Sequence, residues 1–205
     1  MNSAKLFPMF LKLTGRRCLV VGGGTIAESK IASLVEADAW VRVVAPAASS
    51  QVQSRANAGK IEWLQRRFQP DDLEGMFLVV AATSSREVHE QIFQRARQLG
   101  VLCNIVDVPA LCDFYYPAVL HRGALQIAVS TGGQSPALAQ RLRKELEEQF
   151  GPDYGPWLEH LGESRDKLFA QPMDPDDRKR LLHDLASEEA FELFRRKRGG
   201  PGLSG

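Results

Sequence analysis

The amino-acid sequence predicts an α/β chain: a doubly wound parallel sheet, then a small β-hairpin with its following helix, then a helical C-terminal domain. Three observations predict it. The apolar run 18–21 breaks at Gly22-Gly23-Gly24 and passes into a helix-like segment from Thr25, which reads as strand, tight turn and helix start. Between residues 18 and 107, short apolar runs alternate with helix-spaced ones, as parallel strands and their right-handed crossover helices do. From Phe114 that rhythm stops: two strand-like runs are followed only by helical segments.

Composition sets the outer bounds. The 205 residues allow one α/β domain of roughly 100 to 150 residues and a smaller appendage. Lys and Arg total 26 against 25 Asp and Glu, a net charge of +1, so nothing pulls the chain towards nucleic acid or an anionic membrane, and any charged-ligand site must be local. Cys18, Cys103 and Cys112 form no CxxC pair. Two lie in strand-like runs where a buried, reduced thiol is the default, so a cytoplasmic protein is expected. The apolar patch 6–11 is interrupted by Pro8 and lacks a small-residue cleavage site, which argues against a signal peptide. No run approaches the ~20 apolar residues of a membrane span.

In order along the chain, residues 1–15 read as a leading segment whose Leu6, Phe7, Met9, Phe10 and Leu11 cover an edge of the sheet. After the glycine turn, Ile26, Ile31, Leu34 and Val35 form an apolar stripe at helical spacing. A second strand over 41–45 stops at Pro46, and Ser49 or Ser50 caps the next helix. Ile61, Trp63 and the residues to Phe68 suggest a further strand. The unbroken run 77–82 is the mark of a strand buried on both faces. Ser84 with Glu87 is the expected capping box of a helix bearing Val88, Ile92, Ala96 and Leu99, which Gly100 closes before a strand over 101–106. Strands over 114–120 and 125–130 then make a hairpin, and Ser135 caps a helix that begins at Pro136. A lone hairpin is marginal in water, so a partner sheet, and hence a homodimer, is expected. Beyond residue 151 the chain reads as helices broken at Gly155-Pro156 and over 172–175, then a flexible Gly-Pro tail. The expected domains are 1–112, 113–150 and 151–205.

Gly22, Gly24 and Ala27 fit the fingerprint GxGxxG/A of a Rossmann-type dinucleotide site. The first Gly makes the turn, the second admits a pyrophosphate, and the small third residue lets helix pack on strand. Free amides and the helix dipole then face the phosphates. The second strand ends in Val44-Ala45-Pro46, without the acid that usually binds a ribose and without a following Arg for a 2′-phosphate, so NAD and NADP stay open on this pattern. Ala82, Thr83, Asn104 and Asp107 fall at the carboxyl edge of the same sheet. Asp107 reads either as an acid–base group or as a turn aspartate ahead of Pro109. His89, His121, His160 and His183 show no metal-binding spacing and read as lone surface histidines; no resident metal is expected.

Seven stretches carry a resemblance: Phe7-Pro-Met-Phe-Leu-Lys-Leu13, Val20-Val-Gly-Gly-Gly24, Val43-Val-Ala-Pro46, Ala81-Ala-Thr83, Cys103-Asn-Ile-Val-Asp-Val-Pro109, residues 114–117, and Val129-Ser-Thr-Gly-Gly-Gln-Ser-Pro136. In this order they resemble the precorrin-2 dehydrogenase family, the dehydrogenase part of siroheme synthase. Ser29 and the pair Ser84-Ser85 depart from its pattern. The resemblance implies NAD-dependent oxidation of precorrin-2 to sirohydrochlorin, in some members with ferrous iron insertion, on a dimer with a helical C-terminal domain. It implies NAD contacts at Gly22, Gly23, Gly24, Thr25, Ile26, Ala45, Pro46, Ala82, Thr83 and Asn104, and a catalytic Asp107. The turn Ser130, Thr131, Gly132 to Ser135 would meet substrate carboxylates, with Arg122, Arg141 and Arg143 as further candidates unless they are solvated or dimer contacts. A non-enzymatic NAD-sensing module is the alternative.

Overall fold

The computed structural model describes residues 5–198, and the chain divides into two compact units between Tyr115 and Tyr116. The first unit contains β1 (Arg17–Val21), α1 (Thr25–Glu36), β2 (Trp40–Val44), α2 (Ser50–Asn57), β3 (Glu62–Leu64), β4 (Leu78–Ala81), α3 (Arg86–Leu99) and β5 (Leu102–Ile105), with 3-10 turns at Pro70–Leu73 and Pro109–Leu111. All five strands are parallel, in the order β3-β2-β1-β4-β5. Leu19, Val21, Val44, Val79, Ala81, Cys103 and Ile105 share one face with Ile92 and Ala96 of α3 and with Leu73 and Met76. By alternation, Cys18, Val20, Val43, Leu78 and Val80 point to the other face. All five are buried, at about 1.5–3 kcal/mol for each large aliphatic side chain. The apolar runs are therefore unbroken because both faces are covered.

Several expectations are corrected. Leu6, Phe7, Met9, Phe10 and Leu11 are exposed, and only Leu13 of that segment is buried. The segment leads into β1, the central strand, whose two edges are already taken by β2 and β4. The outer edge of β5 is instead served by residues 112–114: the Asp113 carboxylate accepts from the Cys103 N–H at 2.9 Å, and the Asp113 N–H donates to the Cys103 carbonyl at 2.7 Å. Ile26 is 52% exposed, and α1 buries Ala27, Ile31 and Leu34. Ser85 rather than Ser84 caps α3, accepting from the Val88 N–H. β3 is only three residues long, consistent with its place at the sheet edge. Ser49 caps α2 as expected.

The second unit contains a two-stranded antiparallel sheet of β6 (Ala118–Arg122) and β7 (Leu125–Val129) and the helices α4 (Pro136–Gln149), α5 (Tyr154–Phe169), α6 (Pro175–Leu185) and α7 (Glu188–Arg198). Residues 114–117 are not part of β6. The strands meet through the two-residue turn Gly123-Ala124, with Gly123 at φ 58°, as short hairpins require. α4 packs on β6 and β7, and α5 on β7. Gly155-Pro156 does not break a helix: both lie in the first turn of α5, where a missing N–H costs nothing. There a Cβ on Gly155 would stand 3.2 Å from the Arg122 carbonyl. Rings of Tyr154, Trp157 and Phe191 pack at centroid distances of 4.4 to 5.7 Å. The expected Gly-Pro tail lies outside the described residues.

Candidate functional site

The carboxyl edge of the five-stranded sheet is built around the turn after β1. Gly22 has φ 120°, and a Cβ there would come within 2.3 Å of the Ala82 carbonyl oxygen. A Cβ on Gly23 would come within 2.6 Å of the Ala47 carbonyl oxygen. Both glycines are thus required by neighbouring chain. Gly24 differs: a Cβ there would meet nothing within 4 Å. It precedes α1, and no side chain caps that helix start. Exposed Gly24, Thr25 and Ile26 therefore present uncapped amides and the positive end of the helix dipole to open space, a cradle that fits a pyrophosphate. Ala27, fully buried, lets α1 pack closely on the sheet.

β2 and β3 lie on one side of β1, and β4 and β5 on the other. The direction of winding reverses at the β1/β4 boundary, where ligands of open α/β sheets bind outside the strands' carboxyl ends. The Ala82 N–H donates to the Val21 carbonyl at 2.8 Å and the Gly22 N–H to the Val44 carbonyl at 3.0 Å, which joins the three strand ends. Ala45 is buried, with its carbonyl accepting from Trp63 Nε1 at 3.1 Å, and Pro46 is exposed. Asn104 lies inside β5, is 6% exposed and donates Nδ2 to the Phe114 carbonyl at 2.7 Å. That donor is committed to holding residues 112–114 along the sheet edge rather than offered to a ligand.

Asp107 follows β5 in a tight turn closed by the Val108 N–H to the Ile105 carbonyl at 3.1 Å. It is exposed and has φ 63°; only Asp107 and Asp38 among non-glycine residues have positive φ in the described chain. Aspartate tolerates this left-handed geometry better than most residues, and such backbone strain concentrates at functional sites. Lys30 of α1 is near enough to feel the Asp107 carboxylate: burial pushes the Lys30 ammonium below its ordinary range, and Asp107 works against that shift. Lys30 was readable only as a polar residue within an apolar stripe. His89 corrects a second expectation. It is 8% exposed rather than a surface histidine, and its Nε2 lies 2.7 Å from the Thr83 carbonyl. His121, His160 and His183 are exposed. Burial drives the Cys18 thiol up to about 11 and the Cys103 thiol up to about 12, so neither supplies a thiolate near neutral pH. Among the described residues no group of three His, Cys, Asp or Glu could hold a metal ion.

The remaining predicted residues belong to the second unit. In the turn before α4, Gly132 and Gly133 have φ 62° and 80°. The Gly132 N–H donates to Ser130 Oγ, the Ser135 N–H to Thr131 Oγ1, and Ser135 Oγ caps α4 by accepting from the Leu138 N–H. Arg122 donates Nε to the Phe150 carbonyl at 2.8 Å and Nη2 to the Glu147 carbonyl at 3.1 Å. Its guanidinium thus serves the C-terminal carbonyls of α4. Arg141 pairs with Glu145 at 3.2 Å on the exposed face of α4, and Arg143 with Glu147 in a partly buried position, both at the i,i+4 spacing usual in a helix.

Comparison with known proteins follows the same division of the chain. Residues 9–118 match the family model described as putative NAD(P)-binding, and residues 122–149 the one described as sirohaem biosynthesis protein central. The siroheme synthase of Nitrosococcus oceani is 43% identical over 148 residues, covering 72% of this chain and 32% of its own length. Siroheme synthase 1 of Pectobacterium atrosepticum is 40% identical over 184 residues, 90% of this chain and 36% of its own. The chain thus spans about a third of these curated relatives. The solved structure of SirC, precorrin-2 dehydrogenase, superposes with a TM-score of 0.81 at 27% identity, covering 91% of this chain and 92% of that one. With the glycine cradle and Asp107 both inside the first matched region, the chain belongs to the family described as putative NAD(P)-binding, followed by a segment of the sirohaem biosynthesis protein central family.

Proposed function

We propose that this protein oxidises precorrin-2 to sirohydrochlorin with NAD as hydride acceptor, a step of siroheme biosynthesis. The observation that carries the reading is the exposed, left-handed Asp107 at the end of β5, on the sheet edge that also bears the uncapped glycine cradle. The likeness to SirC over nearly the whole chain supports it. Gly24, Thr25 and Ile26 would hold the pyrophosphate, with Pro46 and the loop at Ala82 and Thr83 flanking the rest of the dinucleotide. The nicotinamide supplies the acceptor for two electrons and one hydrogen. Asp107 takes the proton that the tetrapyrrole must lose as the hydride leaves, and Lys30 of α1 lies within electrostatic reach of that carboxylate. The turn of Ser130, Thr131, Gly132 and Ser135 is assigned to the carboxylates of the substrate.

We further infer that residues 113–150 act as the dimerisation segment, with 151–205 as the helical domain, because a two-stranded sheet needs more cover than one chain gives β7, whose residues are all at least partly exposed. Light scattering at working concentration should give twice the chain mass; a monomer mass contradicts it. The cytoplasm is the proposed location, where free Cys18, Cys103 and Cys112 stay reduced. The activity is tested anaerobically with freshly generated precorrin-2 and NAD. Sirohydrochlorin and NADH should appear one to one. No turnover by a protein that binds NAD would refute the enzyme reading.

A further inference from the structure

His89 is a buried polar side chain of the first unit that neither the core nor the glycine cradle accounts for. It sits in the first turn of α3, 8% exposed, with Nε2 at 2.7 Å from the Thr83 carbonyl oxygen. A carbonyl only accepts, so Nε2 carries the hydrogen and donates it. Peptide groups here are trans, and a trans peptide points its C=O and N–H in opposite directions. Drawing the Thr83 carbonyl towards α3 therefore turns the Ser84 N–H away from α3. Ser84 is exposed, and its N–H bonds to no described residue. Thr83 Oγ1 accepts from the Ser85 N–H at 3.4 Å, which leaves the hydroxyl hydrogen for another acceptor. The other end of the loop is fixed by the Ala82 N–H on the Val21 carbonyl and by the close approach of Ala82 to Gly22. His89 thus holds the Thr83–Ser84 peptide, beyond the part of the loop that β1 fixes at Ala82.

We propose that His89 is a positioning residue: by holding the Thr83 carbonyl it aims the Ser84 N–H and the Thr83 hydroxyl at an oxygen of the bound dinucleotide. This rests on the NAD reading above. The test compares the parent with His89→Phe, which keeps the ring volume without the donor, and His89→Gln, which restores a donor at similar reach. NADH affinity is read by fluorescence titration, turnover by the anaerobic assay, and folding by thermal melting. Loss of one hydrogen bond to a partly buried carbonyl predicts about fivefold to tenfold weaker NADH binding and a matching rise in KM for NAD in His89→Phe. kcat at saturating NAD should stay within about twofold, and His89→Gln should bind within about twofold of the parent. His89→Phe binding as the parent does, or His89→Gln failing as badly as His89→Phe, would overturn the proposal and leave the dinucleotide reading intact. A parent that binds no NADH would instead refute that reading itself.

Discussion

Both units place glycine where two backbones approach closely, and Gly22 and Gly155 differ in how much they tolerate. In the first unit a Cβ on Gly22 would stand 2.3 Å from the Ala82 carbonyl oxygen, at a φ of 120°. In the second, a Cβ on Gly155 would stand 3.2 Å from the Arg122 carbonyl, within a helical turn. The first contact follows the buried stretches 18–21 and 78–81 of two central strands; the second joins a half-exposed hairpin to a helix, beside the bond from Arg122 to the Phe150 carbonyl. Close packing is concentrated at the strand ends that carry the glycine cradle, and the hairpin is more open.

That contrast can be broken or sharpened by substitution. Gly22→Ala combines backbone strain with an overpacked carbonyl and should cost about 4 kcal/mol and abolish NADH binding, as denaturant unfolding and fluorescence titration would show. Arg122→Gln should cost about 2 kcal/mol by freeing the Glu147 and Phe150 carbonyls at the end of α4, while NADH binding stays at the parental value. Gly155→Ala should cost only about 1 kcal/mol, because the gain in helix propensity offsets part of the crowding. Equal losses in Gly22→Ala and Gly155→Ala would remove the distinction between the units.

A smaller effect belongs to the first unit alone. Asp72 is buried, which by itself would raise its pKa, but its bonds from Arg66 at 2.5 and 2.8 Å and from the Gln69 N–H hold it below the usual carboxylate range. A folded pKa below the unfolded one means the contribution is present above the ordinary carboxylate pKa and lost as pH falls through the folded value. Asp72→Asn should therefore flatten the acid side of the stability profile. At neutral pH it should cost less than about 1 kcal/mol, since Arg66 stays partly in solvent and the amide oxygen keeps one acceptor. Thermal melts between pH 3 and pH 7, a range chosen to span the ordinary carboxylate pKa of about 3.9, check the sign.

Much of this was legible in the sequence because it was local. The glycine turn, the unbroken run of β4, the Ser49 and Ser135 caps and the change at Phe114 each follow from neighbours a few positions apart. What failed depended on contacts that the residue types do not signal. The apolar residues from Leu6 to Leu11 gave no sign that β1 would be central, with no free edge for them to cover. Nothing near Asn104 or Arg122 in the sequence shows that the Phe114 and Phe150 carbonyls take one donor of each. His89 looked like a surface histidine because its partner, the Thr83 carbonyl, carries no signal in the residue types. Ser85 displaced Ser84 as cap by a single position, within the reach of a helix start to shift.

The most direct test of the central claim, a dinucleotide cradle and a proton acceptor on one sheet edge, is Asp107→Ala assayed for NADH affinity and for anaerobic precorrin-2 turnover in the same preparation. The account predicts NADH affinity within about twofold of the parent and turnover lower by roughly 100- to 10,000-fold, the contribution of a positioned acid–base group. Parental turnover in Asp107→Ala would contradict it.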